Sequence, residues 1–343
     1  MIVVFSNRKA DLQKKTIRAF GNTLSDTLHL CTATRKQQKW SVNHIDVDAQ
    51  QPFLEELRDN RPDGKPWVFV VHGYNIDFLG SLKQLEGIAD KHDVNIFAFS
   101  WPSKTIYRPF KFNGVRVVSK YRASQKKAEK SAPMLNKVLS MVNESFLSGD
   151  ETLNLLVHSL GNYLLKNMCS SESNLDALSK MNNIILSQPD VDYEGHQSWV
   201  SSMPFKGTCF VITNWQDQIL SFSNTINKVR LGQSIDHQAL NRVTYVDYTD
   251  AVGIGGGTTH GAFKVSKNTN SVLHGFIYEA IRGKQNIPTS GFTFIDERNT
   301  YQIDHRYGNE FGPARRIVGG RARREHRLNN HRRINKIGSN DYY

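Results

Sequence analysis

The stretch "NLLVHSLGNYLL" sets a serine, Ser159, between an apolar run and the start of a helix-like segment. A serine hydroxyl becomes a useful nucleophile only when a nearby base takes its proton, so chemistry at Ser159 calls for a histidine and a carboxylate to orient it. The local order of strand, Ser-x-Gly and helix suits a sharp turn that holds the serine at its tip and pushes Oγ clear of the backbone. Gly161 is one of the small neighbours such a turn needs, while Val157 stands where a first glycine is usual and is expected to crowd it. The following helix would aim free N–H groups and a partial positive charge at the hydroxyl. Taken alone, Ser-x-Gly also fits an ordinary surface turn.

A second apolar run, "WVFVVHGYNIDF", ends in His72-Gly73 well upstream. A turn there can supply one backbone N–H to a developing oxyanion, and the residue after the nucleophile can supply another. Those donors would be the N–H groups of Tyr74 and Leu160. His72 and His158 each precede their turn on the strand, which suits structural hydrogen bonds better than proton transfer.

The chain order serine, acid, histidine directs the search for partners downstream. Asp217 in "VITNWQD" follows a late strand and is the preferred acid; Asp190 in "LSQPD" is the alternative and Asp192 a weaker third. Asp217 also reads as a helix N-cap, a role worth about 1 kcal/mol. For the base, "YVDYTDAVGIGGGTTHGAF" places His260 after the last core strand, behind a glycine-rich stretch able to curl over the sheet edge. His274 lies within a helical pattern, His237 in a polar link, and His305, His326 and His331 in irregular or basic sequence. The glycine run matches neither a dinucleotide fingerprint nor a phosphate-binding loop, and no His, Asp and Glu stand at metal-ligand spacing. The chemistry needs no cofactor.

Strands that could position these residues read in "IVVFSN", "HIDVDA", "WVFVVHG", "NIFAFSW", "TLNLLVHS", "NIILSQPD", "TCFVITN" and "RVTYVDYTD". Several are apolar along their whole length, as strands covered on both faces are. Helices read in "DFLGSLKQLEGIADKH", over Ser119–Val142, from Asn162 to Cys169, in "QDQILSFSNTINKV" and in "NSVLHGFIYEAIRG". This alternation predicts an α/β class with a mainly parallel, doubly wound sheet flanked by helices over residues 1–285. Residues 286–343 read as an irregular extension with an Arg-rich tail.

With 343 residues, 38% of them hydrophobic, and a mean hydropathy of −0.49, the chain has the composition of a soluble globular protein. Its three cysteines are too few for a disulfide framework. The N-terminal "MIVVFSNRKAD" reads as a strand rather than a leader, and no apolar run approaches a membrane span, so a cytoplasmic protein is expected. The net charge of +12 is uneven: from Gly312 onward nine Lys and Arg face only Glu325 and Asp341, which is over half of it.

The segments "VVFSNR", "VFVVHGYN", "FAFSWPS", "LLVHSLGN", "ILSQPDVD", "ITNWQDQILSFSN...RLG" and "THGAF", in this order from Met1 to about Gly283, resemble the DUF900-type α/β-hydrolases, a bacterial family of largely undefined substrate. The resemblance implies an α/β-hydrolase fold with Ser159, Asp217 and His260 as a triad. Trp101-Pro102-Ser103 could wall the acyl pocket or simply end a core strand. The function expected is a serine hydrolase acting on an ester, thioester or amide of a small molecule or lipid. The alternative is a nucleic-acid or anionic-surface binding protein on a hydrolase-like scaffold, with the Arg-rich tail meeting phosphates or anionic lipid head groups.

Overall fold

Among the described residues eleven strands form one sheet: β1 (Ile2–Ala10), β2 (Phe20–Lys36), β3 (Lys39–Ile45), β4 (Trp67–Val71), β5 (Asn95–Phe99), β6 (Leu153–His158), β7 (Met181–Ser187), β8 (Cys209–Thr213), β9 (Val243–Asp247), β10 (Phe292–Ile295) and β11 (Thr300–Ile303). They belong to a computed structural model that describes residues 1–14, 16–60, 63–105, 114–147, 153–252 and 259–303. Their order across the sheet is β10-β11-β9-β8-β7-β6-β4-β5-β1-β2-β3. Pairing is parallel from β1 through β5, β4, β6, β7, β8 and β9 to β11, and antiparallel only for β1–β2, β2–β3 and β10–β11.

The apolar strands β4, β5 and β8 are buried throughout because helices cover both faces. Alternate residues divide between two cores. Phe69, Val71 and Val157 pack with α1 (Gln50–Asp59), α3 (Gly114–Ser145), α4 (Gly161–Met168) and α5 (His196–Ser202). Val68, Val70 and Leu156 pack with α2 (Phe78–His92), α7 (Thr249–Val252) and α8 (Ser271–Ile281). The short α6 (Gln218–Asn224) follows the carboxyl end of β8. β4 leads through α2 to β5 on one side, whereas α3 returns the chain to β6 on the other. The sheet therefore switches direction between β4 and β6, and a crevice opens at their carboxyl ends.

Three expectations change. β2 and β3 do not read as strands in the sequence because this antiparallel edge is largely exposed or half-buried and rich in polar residues, with only a short buried apolar stretch around Leu28–Cys31 in β2. In "HIDVDA" only His44 and Ile45 belong to a strand, and Val47–Ala49 form a 3-10 turn. After 286, where irregular chain was expected, β10 and β11 form a hairpin, and Tyr301 and Gln302 pair with Val246 and Asp247 of β9. The sheet thus continues past the expected boundary at 285. The glycine run at 253–257, the Arg-rich tail and His305, His326 and His331 lie outside the described residues.

Candidate active site

Ser159 follows β6 with φ of +53°, a left-handed conformation that costs a residue with a side chain about 1–2 kcal/mol. The turn holds because its backbone is fully engaged. The Ser159 N–H donates to Ser187 O (3.0 Å), while Ser159 O accepts from Asp190 N (3.2 Å) and Asn162 Nδ2 (3.0 Å). Two glycines make the approach possible. A Cβ on Gly161 would lie 2.8 Å from His72 O and 3.0 Å from Val71 O, and one on Gly73 would lie 2.8 Å from Ser159 Cβ. Val157 does not crowd the turn: its side chain is fully buried in the core, with β4 and β7 on either side.

His260 stands between Ser159 and Asp217. Its Nδ1–H donates to Asp217 Oδ2 (2.6 Å), which leaves Nε2 as the acceptor facing Ser159 Oγ (2.9 Å). A carboxylate only accepts, and that fixes this tautomer. Asp217 is fully buried, and its other oxygen, Oδ1, caps α6 by accepting the N–H groups of Ile219 (2.9 Å) and Leu220 (3.1 Å). The cap and the histidine contact are thus simultaneous, one oxygen each.

The loop that carries His260 is pinned from several elements. Thr259 O accepts from Asn214 Nδ2 (2.9 Å) and Tyr248 Oη (2.8 Å), and Ala262 N–H donates to Gln188 Oε1 (3.2 Å). Phe263 O lies 2.9 Å from His92 Nε2, and His260 O lies 3.1 Å from His158 Nε2. His158 is buried, and burial, then the neighbouring His260, holds its pKa well below the ordinary value of 6.5. It therefore stays neutral and acts as a strut for the His260 loop. Burial also raises the Tyr248 phenol well above 10, with Asp217 adding to the effect.

The upstream turn sits against this elbow, as the glycine contacts show. Among the described residues, the N–H groups of Tyr74 and Leu160 donate no hydrogen bond. His72 is buried with its pKa lowered to about 3 by desolvation and by Arg8, and its Nδ1 lies 3.0 Å from Gly73 O. Trp101 is fully buried, stacks on His72 and donates Nε1–H to His72 O (2.9 Å), so it supports the turn from inside.

Asp190 does not reach His260. Its carboxylate accepts from Tyr121 Oη (2.7 Å) and Ser223 Oγ (2.6 Å), with Arg230 Nη1 at 3.6 Å. It thereby ties α3 to α6 beside the elbow. Asp192 pairs with Arg230 Nη2. His237 stacks on Tyr245, and His274 on His92. Sequence reasoning passed over Arg8, Gln188 and Tyr248. Arg8 lies within β1, and Gln188 directly follows β7; both fall in the segments "VVFSNR" and "ILSQPDVD", but nothing in the sequence marks their partners. Among the described residues no group of three or more His, Cys, Asp or Glu is gathered as a metal would require, and no helix is long and apolar enough to cross a membrane.

A mainly parallel sheet flanked by helices, with a serine turn at its switch point, defines an α/β-hydrolase. The chain belongs to the family described as alpha/beta hydrolase of unknown function (DUF900), which matches residues 46–266. No curated protein matches it.

Proposed function

We propose that the protein is a serine hydrolase that cleaves an ester, thioester or amide of a small molecule or lipid through an acyl-enzyme. The observation that carries this reading is the continuous line of hydrogen bonds from Asp217 through His260 to Ser159, at 2.6 and 2.9 Å. In this reading Ser159 Oγ attacks the carbonyl carbon as its proton passes to His260 Nε2. The carbonyl π pair moves onto oxygen, where the Tyr74 and Leu160 N–H groups receive it. Collapse breaks the bond to the leaving group, which takes the proton from His260, and water then repeats the sequence on the acyl-enzyme. Asp217 holds the imidazole in the required tautomer and offsets its charge.

The pre-set turn supports this chemistry because donors already in place need no reorganisation as charge develops; one such donor is worth about 10²–10³ in rate. The strain at Ser159 fits the same picture, since a left-handed serine is retained where the surroundings over-determine it. The test is labelling by a fluorophosphonate probe of wild type, Ser159→Ala and His260→Ala. Labelling lost in both variants is expected. A folded wild type that resists the probe would overturn the triad reading.

A further inference from the structure

Arg8 and Arg230 are both buried near the site, but Arg230 faces Asp190 and Asp192 whereas the position of Arg8 is unusual. β1 follows β5 in register only as far as Phe5–Phe99 and then continues beside β2 alone. Its register is irregular on both sides of Arg8, between Ser6 and Arg8 and between Arg8 and Ala10. Irregularities of this kind re-aim a side chain. Here the guanidinium turns inward, with no exposed surface.

Every nitrogen of the fork is used. Nε donates to Ser100 Oγ (3.1 Å), and Nη1 donates to Gly21 O (3.2 Å) and Asn22 Oδ1 (3.0 Å). Nη2 donates to Trp101 O (2.6 Å) and Ile76 O (3.0 Å), and it faces His72 Nε2 at 3.5 Å. Its three partners bracket the turn at Gly73, Tyr74 and Asn75: His72 precedes the turn, Ile76 follows it, and Trp101 holds His72 O through its indole N–H. Asn75 itself has φ of +59°, the left-handed region that Asn tolerates better than most residues with a side chain.

Burying a cation without a directly paired carboxylate is costly, and an apolar side chain of similar size would serve stability better. Asp77 acts on Arg8 only at a distance, since its own carboxylate caps α2 at Gly80 N–H and pairs with Lys104. The cost is consistent with a function at the turn. We infer that Arg8 is a positioning residue of the oxyanion turn, its Nη2 clamping both ends so that the Tyr74 N–H stays aimed at the carbonyl oxygen of a substrate attacked by Ser159. This inference rests on the hydrolase reading above. It adds a residue from the far N-terminus, reached through β1 rather than through the motifs around Ser159. The guanidinium also puts a positive charge behind the turn, of the sign that a developing oxyanion requires.

The test uses the full chain with p-nitrophenyl acetate as substrate, and counts active sites with a fluorophosphonate so that misfolded protein drops out. Arg8→Lys keeps the charge but not the fork, and Arg8→Gln keeps neither. Ser103→Ala loosens the same end of the turn while leaving the guanidinium in place, because Ser103 Oγ accepts the Ile76 N–H at 3.0 Å and donates to Ile76 O at 3.2 Å, the carbonyl that Arg8 Nη2 also binds. Per titrated site, kcat should fall about 10- to 100-fold in the Arg8 variants and less in Ser103→Ala. KM should stay within about twofold, and the midpoint of the pH profile should not move, because the His260–Asp217 contact is untouched. Affinity for a trifluoromethyl ketone should fall in parallel with kcat.

Unchanged kcat per site in the Arg8 variants, or a loss expressed in KM or in a displaced pH midpoint, would overturn the inference. If the Arg8 variants yield no titratable protein, Ser103→Ala decides: a kcat equal to wild type sinks the proposal, and a selective fall in kcat supports it. A wild type that resists labelling would instead overturn the hydrolase reading, and this inference with it. A labelled wild type with unaffected variants overturns this inference alone.

Discussion

Replacing Asp217 by asparagine separates two jobs performed by one carboxylate. Oδ1 accepts two backbone N–H groups at the start of α6, and Oδ2 accepts the His260 ring N–H. An asparagine offers one oxygen and one NH2 to these same positions. Two backbone donors outweigh one ring donor, so the amide oxygen should keep the cap and the NH2 should face His260 Nδ1. The ring must then accept at Nδ1 and carry its hydrogen on Nε2, toward Ser159, where it can no longer take the serine proton. The loss expected of a wrong tautomer is about 10⁴ in kcat, or about 5.5 kcal/mol in the transition state. Stability should barely change because the cap survives. Asp217→Ala should lose the activity and also about 1 kcal/mol of capping, a shift on the order of 2 °C in Tm. Ester hydrolysis beside a thermal melt reads both quantities. Asp217→Asn with activity within tenfold of wild type would refute the reasoning, and so would Asp217→Asn melting with Asp217→Ala.

Ser159→Gly should abolish labelling yet melt no lower than wild type, because glycine relieves a strained φ worth about 1–2 kcal/mol; a clear drop in Tm would show that the turn is not strained. Gly161→Ala should cut kcat and cost about 1–3 kcal/mol in a urea melt, since the new methyl meets two backbone oxygens that cannot yield cheaply. Val157→Gly, which restores the usual first glycine, should cost about 3 kcal/mol through a core cavity and added chain entropy, with no gain in rate. His72 and His237, lowered to about 3, and His92, lowered to about 4, are all held down chiefly by burial from an ordinary value of 6.5. The unfolded chain therefore takes up the protons first as pH falls. Stability present above pH 6.5 should be lost toward pH 4 at on the order of 1.4 kcal/mol per pH unit per histidine; urea midpoints equal at pH 7 and pH 5 would contradict this.

The residues around Ser159 were legible because each announces itself locally. Strand-to-turn transitions at "VVHG" and "VHSLG" carry their own backbone requirements, and Asp217 and His260 each follow a core strand in the serine, acid, histidine order. Central strands were legible for a related reason: burial on both faces leaves an unbroken apolar run. The same logic hides β2 and β3, whose solvent-facing residues dilute the pattern, and β10 and β11, four residues each with mostly exposed or half-exposed side chains. The roles of Gln188 and Arg8 were not legible, although both stand in segments shared with the family, because those roles lie in partners distant in sequence. Gln188 meets Ala262, and Arg8 meets Ile76 and Trp101. Nothing beside either residue in the chain specifies those contacts.

The wide sequence separation of these contacts bears on how the protein comes into being at the ribosome. A growing chain that has emerged as far as α6 already holds Ser159, the turn after β4 and Asp217, yet it lacks His260, the base of the proposed reaction. His260 can dock only after β9 has added to the sheet and Tyr248 has reached Thr259 O. Its neighbour Phe263 is in turn fastened by His92 on α2, a helix made long before. Domains assemble as synthesis proceeds from the N-terminus, and pairings between distant segments come late. Catalytic competence should therefore switch on abruptly near the end of translation, so that a truncated or unfinished chain carries an inert serine.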